Sequence, residues 1–271
     1  MASGARRILA AGIITLAFFA PSAALAASCG NDSSGFEAWK KEMRNEAKAA
    51  GIGNSALRAL DGTKYNTATI RADRGQKSFK LSLDQFMQRR GGKAIAQKGK
   101  QMKRQNAQLL ASIESRFGVP AGPLLAIWGM ETGFGGFMGD QNILSAVATL
   151  SYDCRRTEFF TRQLYAALRL IERGSISPQS IGAAHGEIGQ TQFLPENVIK
   201  FGVDGDGDGR IDLIRSRADA LASTANFLRG HGWRRGAGYQ QGQANFAALE
   251  GWNAATVYQQ AIAIIGADID G

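Results

Sequence analysis

Leu124-Leu125-Ala126-Ile127-Trp128-Gly129-Met130-Glu131-Thr132-Gly133-Phe134-Gly135 is apolar on every side until it meets a carboxylate. A helix with no polar face must be surrounded by other elements, so this run reads as a buried helix at the centre of a core. Gly118-Val119-Pro120 ends one helix and opens this one, and Gly133 and Gly135 break it. The buried helix therefore carries Glu131 at its end. Partial desolvation by Leu124, Leu125, Ile127, Trp128 and Met130 would raise the carboxyl pKa and keep it protonated near neutrality, as a general acid for glycosidic cleavage requires. A helix-end glutamate pointing into water is the competing reading of the same pattern.

Working outward, apolar residues recur at helical spacing in Phe36, Trp39 and Met43, in Leu109, Leu110, Ile113 and Phe117, and in Leu164, Ala167, Leu168 and Ile171. Further helices are expected near 143–150, 155–173, 192–201, 217–230 and 254–265, and strand signals are scarce. The fold class is therefore mainly α. With 271 residues, 44% hydrophobic, 20% charged and 5 Pro, the chain can bury a full core, which excludes a disordered protein. No internal repeat or composition shift divides it, so residues 27–271 read as one catalytic unit with a smaller N-terminal helical part.

Arg6 and Arg7 precede an apolar run, Ile8 to Ala20, that stops at Pro21 and leads to Ala24-Leu25-Ala26. This is the pattern of a secretory signal peptide over residues 1–26, so an exported protein is expected, with the periplasm as its compartment. A membrane span needs about 20 apolar residues, and neither this run nor any later segment reaches that length; no integral span is expected. Export implies an oxidising compartment, in which Cys29 and Cys154 are expected to pair. Lipidation of Cys29 is the rival, although Ala26-Ala27-Ser28 has Ala where a lipobox usually carries Leu. The net charge of +9 favours an anionic partner such as an acidic cell-wall polymer. Its Lys and Arg are scattered, with no interleaved aromatic run, so nucleic acid is not the expected partner.

Only two histidines, His185 and His231, occur, which excludes a multi-His metal site, and no G-x-S-x-G elbow is present. His185-Gly186-Glu187 matches half of a zinc deaminase signature whose P-C-x-x-C half is missing. Carboxylates are left as the acid/base groups. Asp204, Asp206, Asp208, Gly209 and Asp212 match positions one, three, five, six and nine of an EF-hand loop, so a structural calcium ion is a candidate, with no cofactor required for the reaction. Arg215 stands at position twelve, where a bidentate acid normally completes the shell. An Asp/Gly-rich turn before a helix capped by Asp219 is the alternative.

With Glu131 in this setting, the chain resembles the lytic murein transglycosylases of the membrane-bound type B family and their soluble relatives. The resemblance runs from Phe36 and Trp39 through Gln76, Phe79 and Phe117-Gly118-Val119-Pro120 to the Ala126–Gly135 block. It continues through Gly189-Gln190-Thr191-Gln192-Phe193-Leu194-Pro195, the Asp204–Leu213 loop and His231-Gly232-Trp233 to Trp252-Asn253 and Tyr258. It implies a lysozyme-like helical fold with an EF-hand-like loop, a monomer acting on peptidoglycan glycan strands, and non-hydrolytic cleavage that leaves 1,6-anhydro ends. One glutamate, Glu131, acts first as acid and then as base, and the substrate's acetamido group stabilises the cation. By the same resemblance Gln192 hydrogen-bonds sugar near Glu131, Asn253 contacts an N-acetyl sugar, and Trp252 and Tyr258 supply apolar faces. Core packing is the alternative for Trp252 and Tyr258, and Phe193 reads as core.

Two departures stand out. Ala183 replaces a serine that contacts substrate in relatives, and the same segment adds Glu187, which reads as a salt-bridged surface residue with a second acid as the alternative; His185 reads as structural. Arg215 is the other departure. A hydrolytic muramidase and a non-catalytic glycan-binding module are the rival functions.

Overall fold

The computed structural model of the chain describes residues 27–75 and 81–271. The signal peptide expected over residues 1–26 lies outside the described residues, as do Gln76 and Phe79. The helices follow in order: α1 (Phe36–Ala49), α2 (Asn54–Asp61), α3 (Thr67–Gly75), α4 (Leu83–Arg90), α5 (Gly92–Gln105), α6 (Ala107–Phe117), α7 (Ala121–Thr132), α8 (Ile143–Tyr152), α9 (Thr157–Glu172), α10 (Pro195–Phe201), α11 (Arg217–Gly230), α12 (Phe246–Trp252) and α13 (Thr256–Asp270). The only sheet among the described residues is the two-residue pair β1 (Gln141–Asn142) and β2 (Ile181–Gly182), antiparallel, with Gln141 opposite Gly182.

The apolar run that ends on Glu131 lies in α7, and every residue of that helix except Glu131 is buried. It is enclosed by α5, α6, α11 and α13. The approach of α13 depends on Gly122, where a Cβ would collide with the Gly266 carbonyl and the Asp270 carboxylate. The Gly122 amide instead donates to Asp270 Oδ1 at 2.8 Å, which satisfies a first-turn N–H that a helix cannot pair internally. One continuous core runs from Phe36 to Ile269.

The N-terminal helices join this core through aromatics. Phe36 stacks on Trp39 at 5.3 Å, and Tyr152 at the end of α8 meets both rings. Cys29 and Cys154 form the expected disulfide, 125 residues apart in sequence, and Gly30 bridges Asp153 beside it. One expected helix is shorter than its pattern. The 192–201 segment becomes helical only at Pro195, which sits comfortably in the first turn because it has no amide to leave unpaired. Gln192 ends a turn instead, at φ 56°, Phe193 pairs with Ile188 in an isolated antiparallel bridge, and Gln192 is thereby presented to the site.

Candidate active site

Glu131 owes its placement to the way α7 stops. Gly133 takes the left-handed conformation at φ 59° and its amide returns to the Gly129 carbonyl at 3.0 Å. Phe134 follows at φ 65°, unusual for a side-chain-bearing residue, and its ring packs edge-on against Trp128 at 5.4 Å. The buried Thr132 hydroxyl donates to the Gln190 carbonyl at 2.6 Å and accepts the Gly135 amide at 2.9 Å. One side chain thus joins the turn after Glu131 to the segment that carries Gln192.

The carboxylate opens on a cleft of about 310 Å³ lined by Glu131, Glu187, Gln192, Phe193, Leu194, Asn197, Phe227, Trp252 and Asn253. That volume is at the small end of ligand clefts, and polar amides alternate with aromatic rings around it. Two donors converge on Glu131 Oε1: the Trp252 indole N–H at 3.0 Å and the Tyr258 hydroxyl at 2.7 Å. Trp252 is itself fixed edge-on by Phe193 at 5.4 Å and Phe227 at 5.1 Å. Burial pushes the Glu131 carboxyl above the usual carboxylate range; the two hydrogen bonds and the nearby Arg90 pull it back without cancelling the rise, and Glu187 adds to it. Arg90 stays with Tyr258 and Phe86, its guanidinium 5.7 and 5.6 Å from their ring centres. No ion pair to Glu131 occurs among the described residues.

The other expected site residues are distributed unevenly. Gln192 lines the cleft with its amide nitrogen donating to the Gly189 and Met138 carbonyls at 2.7 and 3.3 Å. Asn253 lines it too, its Oδ1 accepting the Ala255 amide at 3.0 Å. Trp252 faces the cleft and also serves Glu131. Tyr258 is 2% exposed, which agrees with the core-packing alternative, and its hydroxyl donates to Glu131; burial pushes its pKa well up, and the Glu131 carboxylate adds to the rise. Glu187 pairs with His185 at 3.1 Å, as the salt-bridged reading expects, and it does so in the cleft wall.

The acidic loop departs from the EF-hand pattern. Asp204, Asp206 and Asp219 bring carboxylate oxygens within 4.8 Å of one another, whereas Asp208 and Asp212 do not join them. Asp208 Oδ1 accepts the Arg210 amide, and Asp212 accepts the Ile214 and Arg215 amides and pairs with Arg215 at 3.2 Å. Asp219, buried in the first turn of α11, holds the loop by accepting the Gly205 and Asp212 amides at 2.8 and 2.7 Å. Burial pushes its carboxyl up, and Asp206 adds to the rise.

Residues 35–243 match the family described as the transglycosylase SLT domain. The chain belongs to that family. Within the transglycosylase SLT family, it is 38% identical over 122 residues to membrane-bound lytic murein transglycosylase B of Escherichia coli (strain K12), a match that covers 44% of this chain and 34% of that protein. The alignment thus spans about a third of the curated relative's length. SltB3 from Pseudomonas aeruginosa, solved in complex with NAG-anhNAM-pentapeptide, superposes with a TM-score of 0.81 at 28% identity, covering 87% of this chain and 80% of that one. Escherichia coli Slt35, solved in complex with calcium, shares the fold with a TM-score of 0.74 at 22% identity, over 93% of this chain and 98% of that one. The mainly helical, lysozyme-like fold of this SLT domain is as the sequence led one to expect.

Two features of the site are not evident from the sequence motifs. Thr132 has no role in its motif, although a hydroxyl next to a helix-ending glycine is a usable sign of a capping contact. The Asp73 side of the His185–Glu187 pair carried no sign at all.

Proposed function

We propose that this chain is an exported lytic transglycosylase that cleaves the bond between N-acetylmuramic acid and N-acetylglucosamine in peptidoglycan strands. One observation carries the reading: Glu131 is a desolvated carboxyl at a cleft wall, its pKa raised, held by two neutral donors and by no cation among the described residues. A general acid needs that protonation state, and a salt-bridged glutamate lacks it. In the proposed reaction the Glu131 proton passes to the glycosidic oxygen, the C1–O bond breaks, and C1 becomes cationic. The Glu131 carboxylate then takes the proton of the muramyl C6 hydroxyl while O6 bonds to C1. The proton borrowed in the first half is returned in the second, and no water is consumed.

The two donors suit the second half. Hydrogen bonds from Trp252 and Tyr258 favour the ionised form, so a group desolvated enough to act as acid can still wait as a base. The C6 hydroxyl belongs to the bound sugar, and attack within one molecule outcompetes a diffusing water where the cleft excludes solvent. Gln192, Asn253 and the exposed part of Trp252 would hold the sugars. The sugar-peptide named with SltB3 supports the substrate class. The proposed working unit is a monomer formed from residues 27–271. Export is supported by the leader pattern and by the disulfide, and no helix among the described residues is long and apolar enough to cross a membrane.

Digestion of purified murein by the native chain and by Glu131→Gln, with mass spectrometry of the products, tests this. Anhydro ends from the native protein and none from the variant are expected. Reducing ends would make the enzyme a hydrolytic muramidase, and no cleavage by folded native protein would make it a glycan-binding module. Turnover retained by Glu131→Gln rules out the mechanism.

Calcium is proposed as a structural ion only, with Asp204, Asp206 and Asp219 as its carboxylate ligands. The hard oxygens fit the ion's chemistry, and like charges brought within 4.8 Å are relieved by a divalent cation. Arg215 at the twelfth position and the local bonding of Asp208 and Asp212 make the site weak. The ion would clip the loop to α11 and takes no part in the chemistry.

A further inference from the structure

Glu187 lies in the wall of the cleft that holds Glu131, and a tight turn puts it there. The Gly186 amide donates to the Ala183 carbonyl at 3.0 Å and the Ala183 amide to the Glu187 carbonyl at 3.1 Å. Gly186 adopts φ 83°, and Val147 and Ile143 occupy the space a Cβ would need, so glycine is required at the turn. The turn sets Glu187 against His185 on both oxygens: Oε1 is 3.1 Å from the imidazole Nδ1, and Oε2 accepts the His185 backbone amide at 2.9 Å. Behind the ring, His185 Nε2 is buried without a hydrogen bond and lies 3.8 Å from Oδ1 of Asp73 in α3. Asp73 is itself buried and clasped by Arg155 at 2.9 Å and Arg156 at 3.0 Å. The cleft carboxylate is thus the outer end of a fixed chain of polar and charged side chains that takes no part in the proposed reaction.

We propose that Glu187 is a second working carboxylate of the cleft: remaining ionised, it keeps the proton on Glu131 at rest and offsets the positive charge that develops at C1 as the glycosidic bond breaks. The inference rests on the transglycosylase reading of the same site. Burial pushes the Glu187 carboxyl up, but the hydrogen bonds and Coulombic attraction of His185, with the backbone amides, outweigh it and leave it below the usual range. Burial pushes Glu131 up as well, its hydrogen bonds and Arg90 do not cancel the rise, and the Glu187 charge adds to it. Two carboxyls driven apart in one cleft mark a division of labour between an acid and an ion. The groups facing Glu131 are Trp252, Tyr258, Arg90 and Glu187, and only Arg90 brings a positive charge. The groups behind Glu187 are His185, Asp73 and the two arginines. Glu187 acts through space on Glu131 and on C1, so it is a positioning residue.

Glu187→Gln keeps the shape and an acceptor oxygen and removes the charge. The expected result is a fall in kcat of about tenfold with KM within about twofold, anhydro products retained, and the alkaline limb of kcat/KM moved to lower pH. Glu187→Asp should restore most of the loss. A merely structural role would lower the melting temperature and leave the limb in place. An unchanged kcat and limb, or a rise in KM alone, overturns the proposal and leaves the Glu131 reading standing, since Glu131→Gln decides that separately. The unmodified protein gives a second test: carbon-13 NMR of its glutamate carboxyls should show Glu187 titrating below the ordinary range and Glu131 above it. Glu187 titrating above that range overturns the proposal whether or not the variant folds.

Discussion

Thr132→Val removes one oxygen and keeps the volume, so it isolates what the Thr132 hydroxyl does. The Gly135 amide and the Gln190 carbonyl would each lose their recorded partner, at 2.9 and 2.6 Å respectively. Leaving a buried polar group unpaired costs about 1–3 kcal/mol, so two of them amount to about 2–6 kcal/mol; the Gly135 end is only part-buried, which makes about 3 kcal/mol the working figure. For a chain of this size that lowers Tm by about 6–12 °C. Activity should fall as well, because the same hydroxyl keeps the turn after Glu131 in register with the segment that presents Gln192. Urea unfolding followed by circular dichroism measures the first quantity, and murein digestion at a temperature where the variant is fully folded measures the second. Thr132→Ser retains the hydroxyl and should lose only about 1 kcal/mol for the missing methyl. A Thr132→Val variant that unfolds within about 0.5 kcal/mol of the native chain would refute the argument, since the two groups would then have found other partners or water.

Tyr258→Phe removes a donor that favours the Glu131 carboxylate, so the alkaline limb of kcat/KM should move to higher pH, opposite in sign to Glu187→Gln; an unmoved limb would contradict the geometry. Glu131 has a raised folded-state pKa, so its contribution to stability is present below the ordinary carboxylate range and is lost as pH rises through the folded value. Glu131→Gln should therefore gain in Tm relative to the native protein between pH 4 and pH 8, and a gap that closes over that interval would show the carboxyl is not desolvated. Replacing Cys29 and Cys154 with Ala frees a loop of 125 residues in the unfolded chain and should cost about 5 kcal/mol in urea unfolding, with less than about 1 kcal/mol counting against the estimate. Calcium at about ten to a hundred times a weak dissociation constant should stabilise the native protein by about 1–3 kcal/mol and leave Asp204→Asn unaffected; a Tm indifferent to both calcium and chelator would remove the ion from the description.

Periodicity and local composition were enough to identify the helical class, the buried helix that ends on Glu131, the breaks at Gly133 and Gly135, and the cysteine pair. All of these depend on neighbours within a few turns of chain, or on a count of two. Even there, a local signal could mislead. The Asp204–Asp212 spacing matches a calcium loop, yet the side chains of Asp208 and Asp212 are taken by nearby backbone amides and Arg215, and Asp219 joins the acidic group in their place. Tyr258 was likewise recognised as a site residue, but its role could be assigned only once its ring was seen to be buried.

Only the tertiary structure decided what surrounds Glu131. Its donors come from residues 121 and 127 positions away, and Asp73, which stands behind the His185–Glu187 pair, comes from α3. Such contacts leave no mark on hydropathy spacing, because each partner satisfies its own local pattern equally well with or without the other. The proton affinity of a carboxyl, in contrast, is set by every charge, dipole and apolar surface within several ångströms, wherever in the chain those groups originate. The chain order could therefore present the acid at the end of a helix, while the approach of Trp252 from α12, Tyr258 from α13 and Glu187 from the 183–187 turn determined the electrostatic setting in which it sits.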